Sequence, residues 1–160
     1  MSWVMFRSLF KHFFMNVVKH QLAIAQGSLK EDVISLLEQN KLPVSDIDDT
    51  KILFALTDGH KVIGTGGLEF FQDSALLRSL SVKKDYRGTG LGKSITHQLE
   101  NVCREKGIKH IYLLTETAED FFNRQGYKVI DRASAPLSIK NSSEFTTVCA
   151  TTGVLMHKSI

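Results

Sequence analysis

The chain has 160 residues, 42% hydrophobic and 23% charged, with 11 glycines and two prolines, a composition that fits one globular domain and excludes a long disordered or collagen-like tract. The net charge of +3 arises in the first 20 residues, which hold three basic side chains and no acid, because the other 140 residues balance 17 basic against 17 acidic side chains. Composition therefore does not indicate a nucleic-acid partner, and no apolar run reaches the roughly 18 residues that stable membrane insertion needs.

Residues 1–15 form a basic, aromatic leader whose role the sequence leaves open. Trp3, Phe6 and Phe10 recur at three- and four-residue steps, which would give a helix one apolar face. The segment could serve as a membrane-surface or targeting helix, or it could pack on its own domain. It could also be translated sequence upstream of a start at Met15. The domain proper is expected to cover residues 16–160.

The first part of the domain reads as a strand followed by a helix. Apolar residues over 17–25 predict the strand. Ser28 stands three residues before Glu31, which is the pattern of an N-cap with a capping box. Apolar side chains then recur at helical spacing until Asn40, and a polar loop follows over residues 45–49.

Three strands come next and predict an antiparallel meander. They are expected over residues 51–56, 61–70 and 75–82. Asp58-Gly59 is a hairpin turn signal between the first two, and Gln72-Asp73 is a turn between the second and the third.

The rest of the chain alternates helices and strands without a repeat or a linker. Helices are predicted over residues 91–106, from Thr115 or Thr117 through Gln125, and from Pro136 to about residue 148. Strands are predicted over residues 108–114, 127–130 and 152–157. This order of elements predicts a single α/β domain.

The most informative stretch runs over residues 80–93, between a predicted strand and a predicted helix. Gly88, Gly90 and Gly92 free several backbone N–H groups to point at one spot, and the helix N-terminus adds partial positive charge. These features favour an anion site for a phosphate or pyrophosphate. A merely flexible loop is the alternative.

Two common phosphate-binding motifs do not fit this stretch. Gly92-Lys93-Ser94 imitates the end of a P-loop, but that motif would need a glycine where the chain has Arg87. A dinucleotide motif that started at Gly88 would end on Lys93 instead of a glycine. Both motifs also follow a strand of a parallel βαβ unit, whereas this strand belongs to a meander.

Arg87-x-x-Gly90-x-Gly92 resembles motif A of the GNAT superfamily, the Gcn5-related N-acetyltransferases, which reads Gln/Arg-x-x-Gly-x-Gly/Ala. The resemblance covers nearly the whole chain outside the leader. It implies an α/β (α+β) fold with a mixed, mostly antiparallel sheet of six to seven strands flanked by helices. It also implies acetyl-CoA as co-substrate, with its pyrophosphate held by Arg87, Gly88, Thr89, Gly90, Leu91, Gly92 and Lys93.

The resemblance further implies that backbone groups of Leu80, Ser81 and Val82 pair with the pantetheine arm, in a slot from which the next strand splays away. Thr115 stands where the family often has an asparagine that touches the pantetheine. Many members carry a tyrosine that protonates the leaving sulfur, and here Phe122 takes its place. Phe122 is assigned to the cofactor site, but it cannot donate a proton, which leaves the general acid open.

Glu69 and Glu116 are candidate general bases for the amine. Glu69 lies in an otherwise apolar strand near the expected amine site. The alternative is that its side chain only faces solvent or lies at the sheet edge and has no catalytic role. Glu116 follows a strand end where substrate would enter, and a solvated loop acid is its alternative. Arg78 could clamp a substrate carboxylate beside Glu69, and a structural ion pair is its alternative. Tyr127 is expected in the core.

Two further observations bear on cofactors and substrate. No histidine has metal-ligand spacing with a cysteine or an acid, so no metal is expected. Two cysteines are too few for a disulfide-stapled scaffold, which predicts a reducing, cytoplasmic location. Residues 76–82, 112–122 and 135–149 resemble the GNAT branch found beside arsenic-resistance genes, whose members are associated with acetylating amino-acid-like toxic compounds.

The leading expectation is an N-acetyltransferase that moves an acetyl group from acetyl-CoA to the amine of a small, amino-acid-like substrate. Direct attack in a ternary complex asks mainly for positioning. A non-catalytic acyl-CoA-binding regulatory module and an acetyltransferase of protein amines stay open as alternatives. Homodimerisation also stays open.

Overall fold

The computed structural model describes residues 20–148 and 152–160, so the leader predicted over residues 1–15 lies outside the described residues. The strands are β1 (Ala23–Ile24), β2 (Lys51–Asp58), β3 (Lys61–Phe71), β4 (Ser74–Val82), β5 (His110–Thr115), β6 (Lys128–Val129) and β7 (Val154–Ser159). The helices are α1 (Ser28–Gln39), α2 (Leu91–Glu105), α3 (Glu119–Arg124) and α4 (Leu137–Lys140), and a π-helical segment spans Glu144–Val148. No helix in this described part is long and apolar enough to cross a membrane.

The seven strands form one mixed sheet in the order β1-β2-β3-β4-β5-β7-β6. Every neighbouring pair is antiparallel except β4 and β5, which run parallel. The predicted meander of β2, β3 and β4 is therefore confirmed, as is the mostly antiparallel sheet flanked by helices.

The parallel pair is short, and the two strands part beyond it. β4 and β5 pair only through Ser74, Ala75 and Leu76, opposite residues 110–112. Further along, β4 continues to pair with β3, and β5 continues to pair with β7. This confirms the predicted splay and opens a wedge in the middle of the sheet.

Both faces of the sheet are covered. Leu76 and Leu77 are adjacent in β4 and therefore point to opposite faces. Leu77 shares a core with α2 and α3, whereas Leu76 shares one with α4. On the same face as α4, α1 packs its Val33 and Leu37 against β2.

Two glycines of β3 allow α2 to pack closely on the sheet. A methyl group on Gly64 would come within 2.7 Å of Ile95 Cδ1, and one on Gly66 within 2.6 Å of Leu99 Cδ1. Ile95 and Leu99 are both fully buried. Because Gly64 pairs with Val82, this contact holds the first turns of α2 against the end of β4.

Helix starts differ from the sequence prediction. Gly27, with a φ of 56°, precedes α1, and no side chain caps this helix, so the predicted capping box at Ser28 is wrong. Ala118 precedes α3, again without a side-chain cap, although the Thr115 hydroxyl accepts a hydrogen bond from the Ala118 N–H at 3.0 Å. Of the first predicted strand only Ala23–Ile24 is a strand among the described residues.

The helix predicted from Pro136 to about residue 148 is interrupted. α4 ends at Lys140, and the π-helical segment begins at Glu144. The Ser142 hydroxyl donates to the Ile139 carbonyl at 2.7 Å and accepts from the Phe145 N–H at 3.3 Å. These local bonds compete with the regular helical pattern, and they let the chain bend so that Glu144 turns inward.

Candidate active site

A cleft of about 400 Å³ opens where β4 and β5 part, a volume that suits a small molecule. It is lined by residues 40–43, 77–80 and 113–118 together with Phe122 and Glu144. The structure thus brings together five residues of the predicted site, namely Arg78, Leu80, Thr115, Glu116 and Phe122. Glu69 is not among the lining residues.

A β-bulge shapes the β4 wall of this cleft. The register between β3 and β4 shifts between Thr65 and Gly67, and Ser79 opposite them has a φ of 54°. The Thr65 hydroxyl donates to the Ser79 carbonyl at 2.7 Å. A positive φ is uncommon outside glycine, and a bulge changes the direction in which neighbouring groups point. Backbone groups of Ser79 and Leu80 are thereby turned relative to a regular strand at the cleft wall.

The glycine loop lies between the end of β4 and the start of α2. Gly88 and Gly90 have φ values of 75° and 84°. A Cβ on either would meet nothing within 4 Å, so the backbone conformation and not space favours glycine here. Gly90 is the N-cap of α2, and the N–H groups of the next three residues have no carbonyl partner within the helix. This arrangement is suited to an anion.

Arg87 ties this loop to α1 through Asn40. The Arg87 Nη2 donates to Asn40 Oδ1 at 3.0 Å, and Arg87 Nε donates to the Val82 carbonyl at 3.0 Å. The Asn40 amide donates in turn to Ser81 Oγ and, at 3.4 Å, to the Val82 carbonyl. The sequence analysis placed Asn40 only as a helix end, because nothing local in the sequence points to these contacts.

The β5 wall carries Thr115, Glu116 and, beyond them, Phe122. Thr115 is buried beside the cleft, and its hydroxyl is engaged by the Ala118 N–H. Glu116 is exposed, and its carboxylate accepts a hydrogen bond from the Thr152 hydroxyl. Phe122 lies at the cleft wall and offers no proton donor.

Aromatic packing holds Phe122 in place. Its ring meets Phe121 and Tyr127 edge to face, with centroids 5.0 and 5.6 Å apart. Tyr127 is fully buried and is not among the lining residues, which confirms its predicted place in the core.

Behind the cleft lie five buried charged side chains, which we call the buried charge cluster. It comprises Asp46, Lys51, Glu69, Arg78 and Glu144, whose side chains are exposed by 8%, 6%, 10%, 2% and 9% respectively. Arg78 donates to Asp46 through Nη1 at 2.5 Å and through Nη2 at 2.6 Å. Its Nε lies 3.3 Å from Glu144 Oε2, and Lys51 Nζ lies 3.9 Å from Glu69 Oε1.

Burial acts differently on the three acids of this cluster. Desolvation raises the pKa of Glu69, and it raises the pKa of Glu144 to about 7 despite the opposing charge of Arg78. Desolvation also acts on Asp46, but hydrogen bonds from Arg78 and Ser143 outweigh it and lower the pKa of Asp46. Asp46 is therefore the firm counter-ion of Arg78, whereas Glu144 changes its charge near neutral pH.

These contacts bear on the roles predicted for Glu69 and Arg78. Glu69 is buried beside Lys51 and does not face solvent. The guanidinium of Arg78 forms the ion pair that was its alternative reading. Glu144 has no role predicted from the sequence, and it joins this cluster because of the bend after α4.

The described residues offer neither a cluster of metal ligands nor an activated thiol. Among residues 20–148 and 152–160, no group of three or more His, Cys, Asp or Glu side chains could hold a metal ion. Cys103 is fully buried, and desolvation raises the pKa of its thiol to about 12. A thiol in that state is not a nucleophile.

Known proteins resemble this chain in sequence and in fold. The model of the acetyltransferase (GNAT) domain family matches residues 48–129. An uncharacterised N-acetyltransferase of Chlorobaculum tepidum is 34% identical over 80 residues, which make up 49% of this chain and 51% of that protein. The chain spans about half the length of the curated relatives it matches.

Solved structures share the fold at low sequence identity. Tetrahymena GCN5 superimposes with a TM-score of 0.72 and 18% identity, covering 88% of this chain and 96% of its own. The N-acetylglutamate synthase of Neisseria gonorrhoeae, complexed with coenzyme A and N-acetyl-glutamate, superimposes with a TM-score of 0.74 and 13% identity. That alignment covers 88% of this chain and 35% of the synthase.

Proposed function

The chain belongs to the acetyltransferase (GNAT) domain family, and on that premise we propose that it transfers an acetyl group from acetyl-CoA to the amine of a small molecule. One observation carries the proposal. The glycine loop at the N-terminus of α2 follows β4, and the second half of β4 no longer pairs with β5, which opens the cleft between the two strands. The two features together offer an anion site and a slot for an extended chain on the same strand.

The residues present fit coenzyme A. The pyrophosphate would lie on the N–H groups of residues 87–93, where Gly88 and Gly90 hold the required backbone conformation. The pantetheine would extend along Leu80, Ser81 and Val82 toward Thr115. For the pantetheine to pair with Val82, the hydrogen bond from Arg87 Nε to the Val82 carbonyl must break or be shared.

The reaction needs an unprotonated amine next to the thioester carbon. The amine nitrogen attacks that carbon, the C–S bond breaks, and the thiolate takes up the proton that the nitrogen loses. The parted strands support this step because β5 does not pair with β4 beyond Leu76, and we place the reacting carbonyl at the backbone N–H groups of the bulge near Ser79. Phe122 supplies no acid, so water or the substrate brings the proton to sulfur.

The acceptor we favour is amino-acid-like. The resemblance to the branch beside arsenic-resistance genes supports this choice, and N-acetylglutamate synthase, which shares the fold, is complexed with an acetylated amino acid. Glu69 and Glu116 stay candidate bases, and Arg78 with Glu69 stays a candidate contributor to substrate binding, but Glu69 does not line the cleft and both Nη atoms of Arg78 donate to Asp46. A cytoplasmic location and homodimerisation remain predictions.

A non-catalytic acyl-CoA-binding module is a second candidate, and the phenylalanine at position 122 favours it. An assay of CoA thiol release with a panel of primary amines and amino acids separates the two. The proposed function predicts saturable release with at least one amine and an equal amount of N-acetyl product. Acetyl-CoA binding without thiol release across the panel would support the binding module instead.

A further inference from the structure

The buried charge cluster is short of one positive charge. Asp46, Glu69 and Glu144 carry up to three negative charges, and Lys51 and Arg78 carry two positive ones, all on side chains no more than 10% exposed. A buried charge without a partner is costly, so it is paired or neutralised. Among the described residues, the cluster holds no third cation.

The imbalance falls on Glu144 and Glu69. Asp46 takes both Nη atoms of Arg78, whereas Lys51 Nζ donates a hydrogen bond to Asp48 at 3.2 Å and lies 3.9 Å from Glu69 Oε1. Arg78 Nε, which lies 3.3 Å from Glu144 Oε2, donates its hydrogen bond to Ser79 Oγ instead. Oε2 of Glu144 and Oε2 of Glu69 are both buried without a hydrogen-bond partner, and of these two acids only Glu144 lines the cleft.

Glu144 is also the member of the three acids that lines the cleft. It lines the cleft together with Arg78 of β4 and with Thr115 and Glu116 at the end of β5. A cation that entered the cleft would find this carboxylate before it reached Asp46 or Glu69, which do not line it.

We propose that Glu144 binds the ammonium group of the acceptor and takes its proton before acetyl transfer. This inference rests on the proposed function and deepens it, because it names the base and the charge of the substrate. The acceptor enters as a cation, R–NH3+, and supplies the positive charge that the cluster lacks.

Of the two protons that the acceptor loses, one passes to Glu144 and the other to sulfur. The Glu144 carboxylate accepts one proton from R–NH3+, which leaves R–NH2 and a neutral carboxylic acid beside Arg78. The amine then attacks the thioester, and its second proton leaves with the sulfur as CoA–SH. Glu144 returns its proton to water when the product departs.

The charge surroundings of Glu144 suit this exchange. Arg78 and Lys51 favour its ionised form, whereas desolvation and the charges of Asp46 and Glu69 oppose it, and the balance brings the pKa of Glu144 to about 7. A base works best when its pKa lies near the working pH.

The test compares Glu144→Gln with the wild-type chain, using the amine that is most active in the thiol-release panel. Glu105→Gln, at the exposed end of α2, is the matched control for loss of a carboxylate. We expect Glu144→Gln to lower kcat/KM roughly 100-fold or more at pH 7, with a Kd for acetyl-CoA within about twofold of wild type, since the glycine loop is untouched. Glu105→Gln should match wild type.

The pH profile distinguishes a base from a mere structural partner of Arg78. Wild-type kcat/KM should rise with pH through about 7, and this limb should be missing from Glu144→Gln. The variant should recover toward wild-type activity above the pKa of the amine itself, where the free amine needs no base.

A deficit that stays equal at every pH, or a variant that keeps the limb near 7, would overturn the inference while leaving the proposed function intact. A wild-type chain that binds acetyl-CoA but acetylates no amine would overturn the proposed function, and this inference with it.

Discussion

Arg78, in the middle of β4, forms a two-point ion pair with Asp46, in the loop between α1 and β2, with donor–acceptor distances of 2.5 and 2.6 Å. The two side chains are 2% and 8% exposed. Paired charges of this geometry are strong and directional. The contact fixes the loop after α1 against the strand that forms one wall of the cleft.

Removing one partner of this pair should destabilise the fold. Asp46→Asn leaves Arg78 buried with a weaker partner, and we expect the free energy of unfolding to fall by about 3 kcal/mol. Asp49→Asn is the matched control, because Asp49 is fully exposed and lies 3.9 Å from Lys30 Nζ at the surface; the free energy of unfolding should stay close to the wild-type value. Urea denaturation measures both, and equal losses would contradict the role given to the Arg78–Asp46 pair.

A negative charge in the glycine loop should abolish coenzyme binding. Gly90→Asp puts a carboxylate at the N-cap of α2, where we propose that the pyrophosphate lies, and forces a side chain onto a φ of 84°. Gly107→Asp is the control, since Gly107 has a φ of 75° and equally open surroundings but follows the other end of α2, about 20 Å away. Calorimetry with acetyl-CoA should detect no heat for Gly90→Asp and near-wild-type affinity for Gly107→Asp.

The stability of the wild-type chain should depend on pH through Glu144. The pKa of this group is about 7 in the folded chain against 4.5 for a glutamate in water, so its stabilising contribution is complete below pH 4.5 and is lost as the pH rises through about 7. The free energy of unfolding, measured relative to Glu144→Gln, should fall by up to about 1.4 kcal/mol per pH unit within that window. Urea titrations at several pH values test this, and parallel curves for the two chains would refute it.

Restoring the family's tyrosine should increase turnover. Phe122→Tyr adds a proton donor at the cleft wall, and we expect kcat to rise several-fold if protonation of the sulfur limits the rate. Phe121→Tyr is the control, because Phe121 belongs to the same aromatic pair but does not line the cleft. Thiol-release rates should separate the two variants, and an equal effect of both would argue against an acid role at position 122.

Local signals in the sequence predicted most of the fold. The turns at Asp58-Gly59 and Gln72-Asp73 and the alternation of apolar residues gave the meander, and Gly107 marked the end of α2. The glycine loop could be predicted from the sequence because it depends on a local property, a backbone conformation that glycine adopts without strain. The capping box at Ser28 was wrong because Gly27 takes the N-cap position. The long helix from Pro136 was wrong because hydrogen bonds of Ser142 compete with the helical pattern.

The sequence by itself determined the family motif, the order of the elements and the glycine loop, because these depend on neighbours along the chain. Only the tertiary structure decided the rest of the site. Arg87 meets Asn40 across 47 positions and Arg78 meets Asp46 across 32, and Glu144 joins them only through the bend after α4. Their burial and charge balance are properties of the packed domain, where desolvation acts on side chains that the linear order keeps apart.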